Sequence, residues 1–206
     1  MKKIIIAIFI LLHNLSFSQI SAGEAVGIAA GVAAITFIAV ETSKKEVAKD
    51  ISQFRSKEYI MNYIIGPTNG KTMLFETESL ASDNSAGLIS VAFNCTEVKK
   101  SGLLLAFFGD NINEHGVLST AYGFRYIPLK EAQDLFDRIN KEKEEHKKYL
   151  SGNNDVNNLY IEHKDLKFII YNDGGEKVRV FWKGFQVVWE KTAYKRTEKR
   201  LDKWFE

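Results

Sequence analysis

Few residues in this chain have the types and spacing to do chemistry, and most fall in the run GDNINEHG, Gly109 to Gly116. Asp110, Asn113, Glu114 and His115 could offer oxygen and imidazole donors to a metal ion or a polar ligand. Their spacing does not fit a calcium loop, which needs oxygen ligands at alternate positions and a central glycine. Asn, Asp and Gly also build ordinary turns, because they tolerate left-handed backbone and hydrogen-bond locally. The four are therefore candidate ligand-binding residues, with a plain turn as the rival reading. With His163 they supply the polar groups from which an active site would have to be assembled: Asp110, Glu114, His115 and His163. Nothing in the sequence brings those four together. No catalytic residue, metal ligand or cofactor is assigned, and the chain leans away from being an enzyme.

A second chemical candidate fails on spacing. Gly66-Pro67-Thr68-Asn69-Gly70-Lys71-Thr72 imitates the phosphate-binding loop of nucleoside triphosphatases, but that loop needs four residues between its glycines so that backbone N–H groups converge on phosphate. Here there are three, and Ile65 stands where the first glycine would fall. Leu103 to Asp110 imitates the apolar strand that ends in a magnesium-binding Asp, yet the segment after Thr72 reads as strand after strand rather than alternating strands and helices. A simple turn at Pro67 to Gly70 is the better reading. Cys95 is the one cysteine, so no intrachain disulfide exists. In the run Gly87 to Thr96, Ile89, Val91, Phe93 and Cys95 form the more apolar face, which directs the thiol into a core, where its thiolate is disfavoured.

The elements that must position these residues begin with an apolar N-terminus. Residues 1–18 combine Lys2 and Lys3, an unbroken apolar run Ile4 to Leu12, and small residues at Ser16 and Ser18. That is the layout of a secretory signal peptide cut before Gln19, with an uncleaved anchor as the alternative. Residues 22–40 follow as a glycine-spaced apolar helix. Ala25 to Val40 carries no charge, and Gly23, Gly27 and Gly31 fall four apart. Small residues at that spacing let helices approach closely in a membrane, so these glycines are expected to mediate self-association. The uncharged run is short: about 24 Å as a helix, against a hydrocarbon core of about 30 Å. Lys44, Lys45 and Lys49 follow it, and the positive-inside rule then places the downstream domain in the cytoplasm if the helix spans. If it does not span, the domain is exported.

Residues 41–66 are expected to continue as a juxtamembrane helix, with Val47, Ala48, Ile51 and Phe54 on one apolar face. Residues 67–206 form the main domain. Its candidate strands are Thr72 to Glu78, Gly87 to Thr96, Ser101 to Gly109 and Tyr122 to Ile127. A helix opened by Pro128 then buries Ala132, Leu135, Phe136 and Ile139. The second half of that helix, KEKEEHKK, is expected to be solvated, with Glu144 and Lys148 paired.

After a polar loop, four short strands alternate apolar and polar residues: Leu159 to His163, Leu166 to Asn172, Lys177 to Trp182 and Phe185 to Glu190. Asn172 to Gly175 and Lys183-Gly184 supply hairpin turns. A last helix, Thr192 to Phe205, buries Tyr194, Leu201, Trp204 and Phe205 and shows a basic face that includes Lys195, Arg196, Lys199 and Arg200. That face could meet anionic lipid or an acidic partner, but Glu198 and Asp202 interrupt it, and a plain solvated face is the better reading. Gly123-Phe124 with Ala132 is echoed by Gly184-Phe185 with Ala193 at the same offset, which suggests two halves, 71–150 and 156–206, each of strands followed by a helix.

The fold class is thus α+β: mainly antiparallel strands with two amphipathic helices, preceded by an N-terminal apolar helix. A net charge of +2 gives no strong electrostatic case for nucleic acid or for an anionic surface. The expected partners are membrane lipid, a second copy through the apolar helix, and a protein of unspecified identity. The expected location is the bacterial inner membrane, or the periplasm or exterior if residues 24–40 do not span. The leading expectation is a membrane-anchored, non-enzymatic interaction or assembly module of the cell envelope. The alternative is an exported soluble binding protein with a packed, non-spanning N-terminal helix.

Overall fold

The computed structural model describes residues 33–34, 48, 50–83, 87–152 and 156–206. The expected signal peptide, and most of the glycine-spaced stretch with Gly23, Gly27 and Gly31, lie outside these residues. Two residues of that stretch are described. Ala33–Ala34 form a short strand, β1, antiparallel to a later strand at Tyr122 and Ala121. Among the described residues no helix is long and apolar enough to cross a membrane.

A helix over 51–65, α1, is wound mostly with π-helical hydrogen bonds. An α-helical turn, Ser56–Tyr59, lies between π-helical turns Ile51–Arg55 and Ile60–Ile65. The wider turn changes which residues face inward. Ile51, Ser56, Ile60 and Ile64 are buried, and the Ser56 hydroxyl donates to the Ile51 carbonyl at 2.7 Å. Phe54, expected on the apolar face, is instead 65% exposed. Gly66 ends the helix with φ +78. Asn69 and Gly70 take the positive φ angles of a tight turn, closed by the Lys71 amide on the Thr68 carbonyl at 3.1 Å. The glycine-lysine run is thus an ordinary turn.

Eight further strands follow: β2 (Glu76–Asp83), β3 (Leu88–Cys95), β4 (Lys100–Ile112), β5 (Leu118–Pro128), β6 (Leu159–His163), β7 (Leu166–Asn172), β8 (Glu176–Trp182) and β9 (Phe185–Trp189). The helix α2 (Leu129–Glu145) and a short turn of helix, α3 (Lys147–Leu150), separate β5 from β6, and α4 (Lys191–Phe205) ends the chain. Four antiparallel strands followed by a helix therefore occur twice. The first meander starts later than expected: 72–75 is not strand, and Leu74 is exposed. The expected strand at 101–109 runs on to Ile112 and absorbs Asp110.

Strand β4 joins the two meanders. One of its edges pairs with β5 along its length; the other pairs with β3 from Lys100 to Phe107 and then meets β9 at Asn111 opposite Phe185. Both faces of β4 are buried, as a continuous apolar run requires. Leu103, Leu105 and Phe107 point into the main core with α2, α4 and the inner face of β6–β9. Leu104, Ala106 and Phe108 point the other way and are covered by Ile51, Ile60 and Ile64 of α1. Full burial of such aliphatic side chains contributes roughly 1.5–3 kcal/mol each, so α1 is bound to the sheet rather than loosely tethered. Cys95 is fully buried, with Sγ against Glu97 Oε2 at 3.6 Å.

Helix α2 buries Ala132, Leu135, Phe136 and Ile139, and α4 buries Tyr194, Thr197 and Leu201. Trp204 and Phe205 are only partly covered. In the run expected to be solvated, Lys143 reaches inward to Glu176 at 2.7 Å and lies 5.0 Å from the centre of the Tyr194 ring. Glu144 pairs with Lys147 at 3.1 Å rather than with Lys148.

Candidate functional site

The hairpin expected to bind a ligand is a turn built by Asn113. Its side-chain oxygen accepts from the backbone N–H groups of His115 and Val117, at 3.0 and 2.9 Å, and its own backbone N–H donates to the Val117 carbonyl at 3.1 Å. This is the local hydrogen bonding that makes Asn a turn residue. Glu114 and His115 sit at the tip with side chains 86% and 78% exposed, 3.6 Å apart. Asp110 is exposed within β4, opposite Thr120. Asp110, Asn113, Glu114 and His115 thus share a hairpin without converging on a point. Among the described residues no three His, Cys, Asp or Glu side chains converge as a metal site.

His163, the fourth polar candidate, lies elsewhere, in a cluster that binds the second meander to the first. The β6–β7 hairpin turns at Lys164 and Asp165, with Lys164 at φ +54. Its tip rests against the end of β5 and the first turn of α2. His163 Nε2 donates to Glu131 Oε1 at 2.9 Å, and both side chains are 18% exposed. Lys164 Nζ donates to the other Glu131 oxygen. One residue further on, Asp165 accepts from Arg125 Nε on Oδ1 and from Trp182 Nε1 on Oδ2, each at 2.8 Å. The guanidinium also reaches the Tyr126 carbonyl, and Arg138 donates to the Glu162 carbonyl at 2.9 Å.

The electrostatics of the cluster follow from these bonds. Burial pushes the Glu131 carboxyl up, but the hydrogen bonds and charges of Lys164 and His163 outweigh it and hold the group below the usual carboxylate range. Burial likewise pushes Asp165 up, and the Trp182 indole and Arg125 more than offset it. Both acids are therefore ionised acceptors at neutral pH. A His–Glu pair can orient an imidazole as a base, acting on a protein nucleophile, a substrate proton or a water within hydrogen-bond reach. Ser90 Oγ is committed to Thr197 Oγ1 at 2.6 Å, and Cys95 lies against Glu97. The contacts at Glu131 and Asp165 form an ion-paired clasp across the two meanders.

A second tip docks in the same manner. Lys183 and Gly184 form the β8–β9 turn with φ +43 and +82. Asn111 Nδ2 donates to the Lys183 carbonyl at 2.7 Å, and the Ile112 amide donates to the Gly184 carbonyl at 3.0 Å. A Cβ on Gly123 would lie 2.8 Å from the Trp182 ring, so the absence of a side chain there admits the indole.

Arg200, expected on the basic face of the last helix, is turned toward β2. Its guanidinium donates to the Leu80 carbonyl at 2.9 Å and to the Glu78 carboxylate. Lys195, Arg196 and Lys199 remain exposed. A shallow depression of about 700 Å³ is lined by Glu145, His146, Lys148, Tyr149, Ser151, Gly152 and Asn157. Glu131, Arg125 and Asp165 were missed by sequence reasoning. Their ion-pair partners stand 32 to 40 residues away, and no local pattern marks such pairs. Comparison with protein-family models, with curated proteins and with solved structures finds no match.

Proposed function

We propose that the protein is a membrane-anchored, non-enzymatic interaction module, tethered by its N-terminal apolar stretch and displaying the α+β domain. The observation that carries this reading is the uncharged run Ala25 to Val40, with Gly23, Gly27 and Gly31 four apart and three lysines just beyond it. Close helix approach would offset the cost of about 1 kcal/mol that each glycine imposes on a helix. The domain's geometry supports it: Glu131, His163, Arg125 and Asp165 hold two meanders together, and the Asn113 side chain in the polar hairpin 113–117 is spent on the hairpin's own backbone. Gly27→Leu with Gly31→Leu is expected to reduce crosslinked oligomers in membranes severalfold. Unchanged oligomers would end the self-association part of the proposal.

A second reading is favoured by one feature, the antiparallel pairing of Ala33–Ala34 with β5. Two extended residues in the middle of the apolar stretch suit an exported binding protein whose N-terminal segment packs on its own domain. A C-terminal epitope tag separates the two readings in spheroplasts. Protection from protease until lysis supports a spanning helix with the domain in the cytoplasm. Digestion of the tag, together with recovery of the whole protein in the soluble periplasmic fraction, supports the exported form.

A further inference from the structure

The two long helices differ in how their charges are used. Helix α2 carries four cations and six carboxylates, and its cations are engaged: Lys130 with Asp134, Lys141 with Glu145, Lys143 with Glu176, and Arg138 with the Glu162 carbonyl. Helix α4 carries six cations and two carboxylates. Arg200 is bonded to β2, Glu198 accepts from Asn140, and Asp202 lies 3.5 Å from Gln133. Both carboxylates thus lean toward α2. Lys191, Lys195, Arg196, Lys199 and Lys203 are left exposed, and none of them forms a salt bridge among the described residues. Lysines recur every fourth residue from 191 to 203, a row about 18 Å long on an ideal helix. Arg196 lies beside the row, and Thr192 is exposed with it.

We propose that this face of α4 lies against an anionic lipid surface. The chemistry of the face selects that occupant. Protein interfaces are depleted in lysine at their centres and depend on buried aromatic or arginine anchors in pockets. The exposed row holds lysine, arginine and threonine, with Asp202 exposed beside it and turned to Gln133, and no apolar side chain to serve as such an anchor. A layer of anionic headgroups needs no shape match, only several cations on one side of the molecule within a Debye length. The proposal rests on the membrane-associated reading above, since a tether or export to the envelope brings the helix to the lipid.

The test uses the full chain with Thr192→Cys labelled by a polarity-sensitive fluorophore. Cys95 is fully buried and stays unlabelled in the folded protein. On vesicles of phosphatidylcholine with about 30% phosphatidylglycerol, acrylamide quenching of the probe is expected to fall about twofold relative to neutral vesicles and to recover in roughly 0.5 M salt. Lys195→Glu with Lys199→Glu is expected to abolish the protection. Lys167→Glu with Arg179→Glu, on exposed positions of β7 and β8, is expected to leave it intact. Equal quenching on both vesicle types, or protection that survives the two glutamates on α4, would overturn the proposal. Protection by polyglutamate but not by anionic vesicles would also overturn it, in favour of an acidic protein.

Flotation of the same chain with neutral vesicles after a salt wash tests the tether separately. A chain that floats while its probe stays equally quenched keeps the anchor and loses the docking face. A chain that floats only with anionic vesicles at low salt keeps the docking face and loses the anchor.

Discussion

Gly184 shows how much a single position can depend on a distant strand. Its φ of +82 lies in the left-handed region, and a Cβ there would meet the Ile112 carbonyl oxygen at 2.1 Å. Gly174, at φ +61 in the β7–β8 turn, would meet nothing within 4 Å. Gly174→Ala therefore carries only the conformational cost of about 1 kcal/mol, whereas Gly184→Ala must also move a backbone and is expected to cost about 3 kcal/mol or more. Thermal melting distinguishes them: for a chain of this size each kcal/mol lowers the midpoint by about 2–4 °C. Equal shifts for the two variants would mean that the β8–β9 tip does not seat on β4. The turn itself is legible in the sequence, because Lys183-Gly184 sits between two alternating runs. Its seat on Asn111 and Ile112 is not, because a contact across 72 residues leaves no local trace.

At the scale of elements, the helix 51–65 shows where periodicity fails. A regular 3.6-residue repeat places Ile51 and Phe54 on one face. Each π-helical turn takes more residues than an α turn, so Ser56, Ile60 and Ile64 follow Ile51 to the sheet and Phe54 swings outward. Ile60→Ala is expected to cost about 2–5 kcal/mol, as large-to-small changes in a packed core do. Phe54→Ala should fall within about 0.5 kcal/mol. Urea unfolding of both variants checks this, and a larger loss at Phe54 would restore the regular helix. Strands β6 to β9 were readable almost to the residue, because each alternates with one face in the core and the other in water. Helix α2 was readable too, from Pro128 and the spacing of Ala132, Leu135, Phe136 and Ile139. The end of β4 was misread as loop, since Asp110 and Asn111 look like turn residues, while their strand conformation comes from pairing with Thr120 and Ser119 of β5.

At the scale of the molecule, the clasp couples the two meanders and makes stability depend on acid. Glu131 and Asp165 are held below their unfolded values in the folded chain. Unfolding therefore takes up protons as pH approaches the carboxylate range. The clasp's contribution is fully present above the unfolded carboxylate values, near pH 4, and is lost as pH falls through the lower folded ones. The wild-type chain is expected to lose stability steeply below about pH 4, with both meanders unfolding together because two of the second's three hairpin tips are bonded to the first.

Glu131→Gln removes the charge that Lys164 and His163 bond while keeping the side chain's shape. It should lower stability at pH 7 by about 1 kcal/mol or more, since hydrogen bonds to charged groups contribute more than neutral ones. It should cost less near pH 3, below the unfolded carboxylate value of about 4, where the contribution of the ionised acid is falling. Urea titrations at the two pH values measure the difference. A loss of the same size at both would show that the carboxylate's ionisation is irrelevant and that Glu131 acts only by packing. A loss confined to pH 7, with near-ultraviolet dichroism reporting the Trp182 environment in the same transition, would show that the bonds at Glu131 and Asp165 act as one clasp.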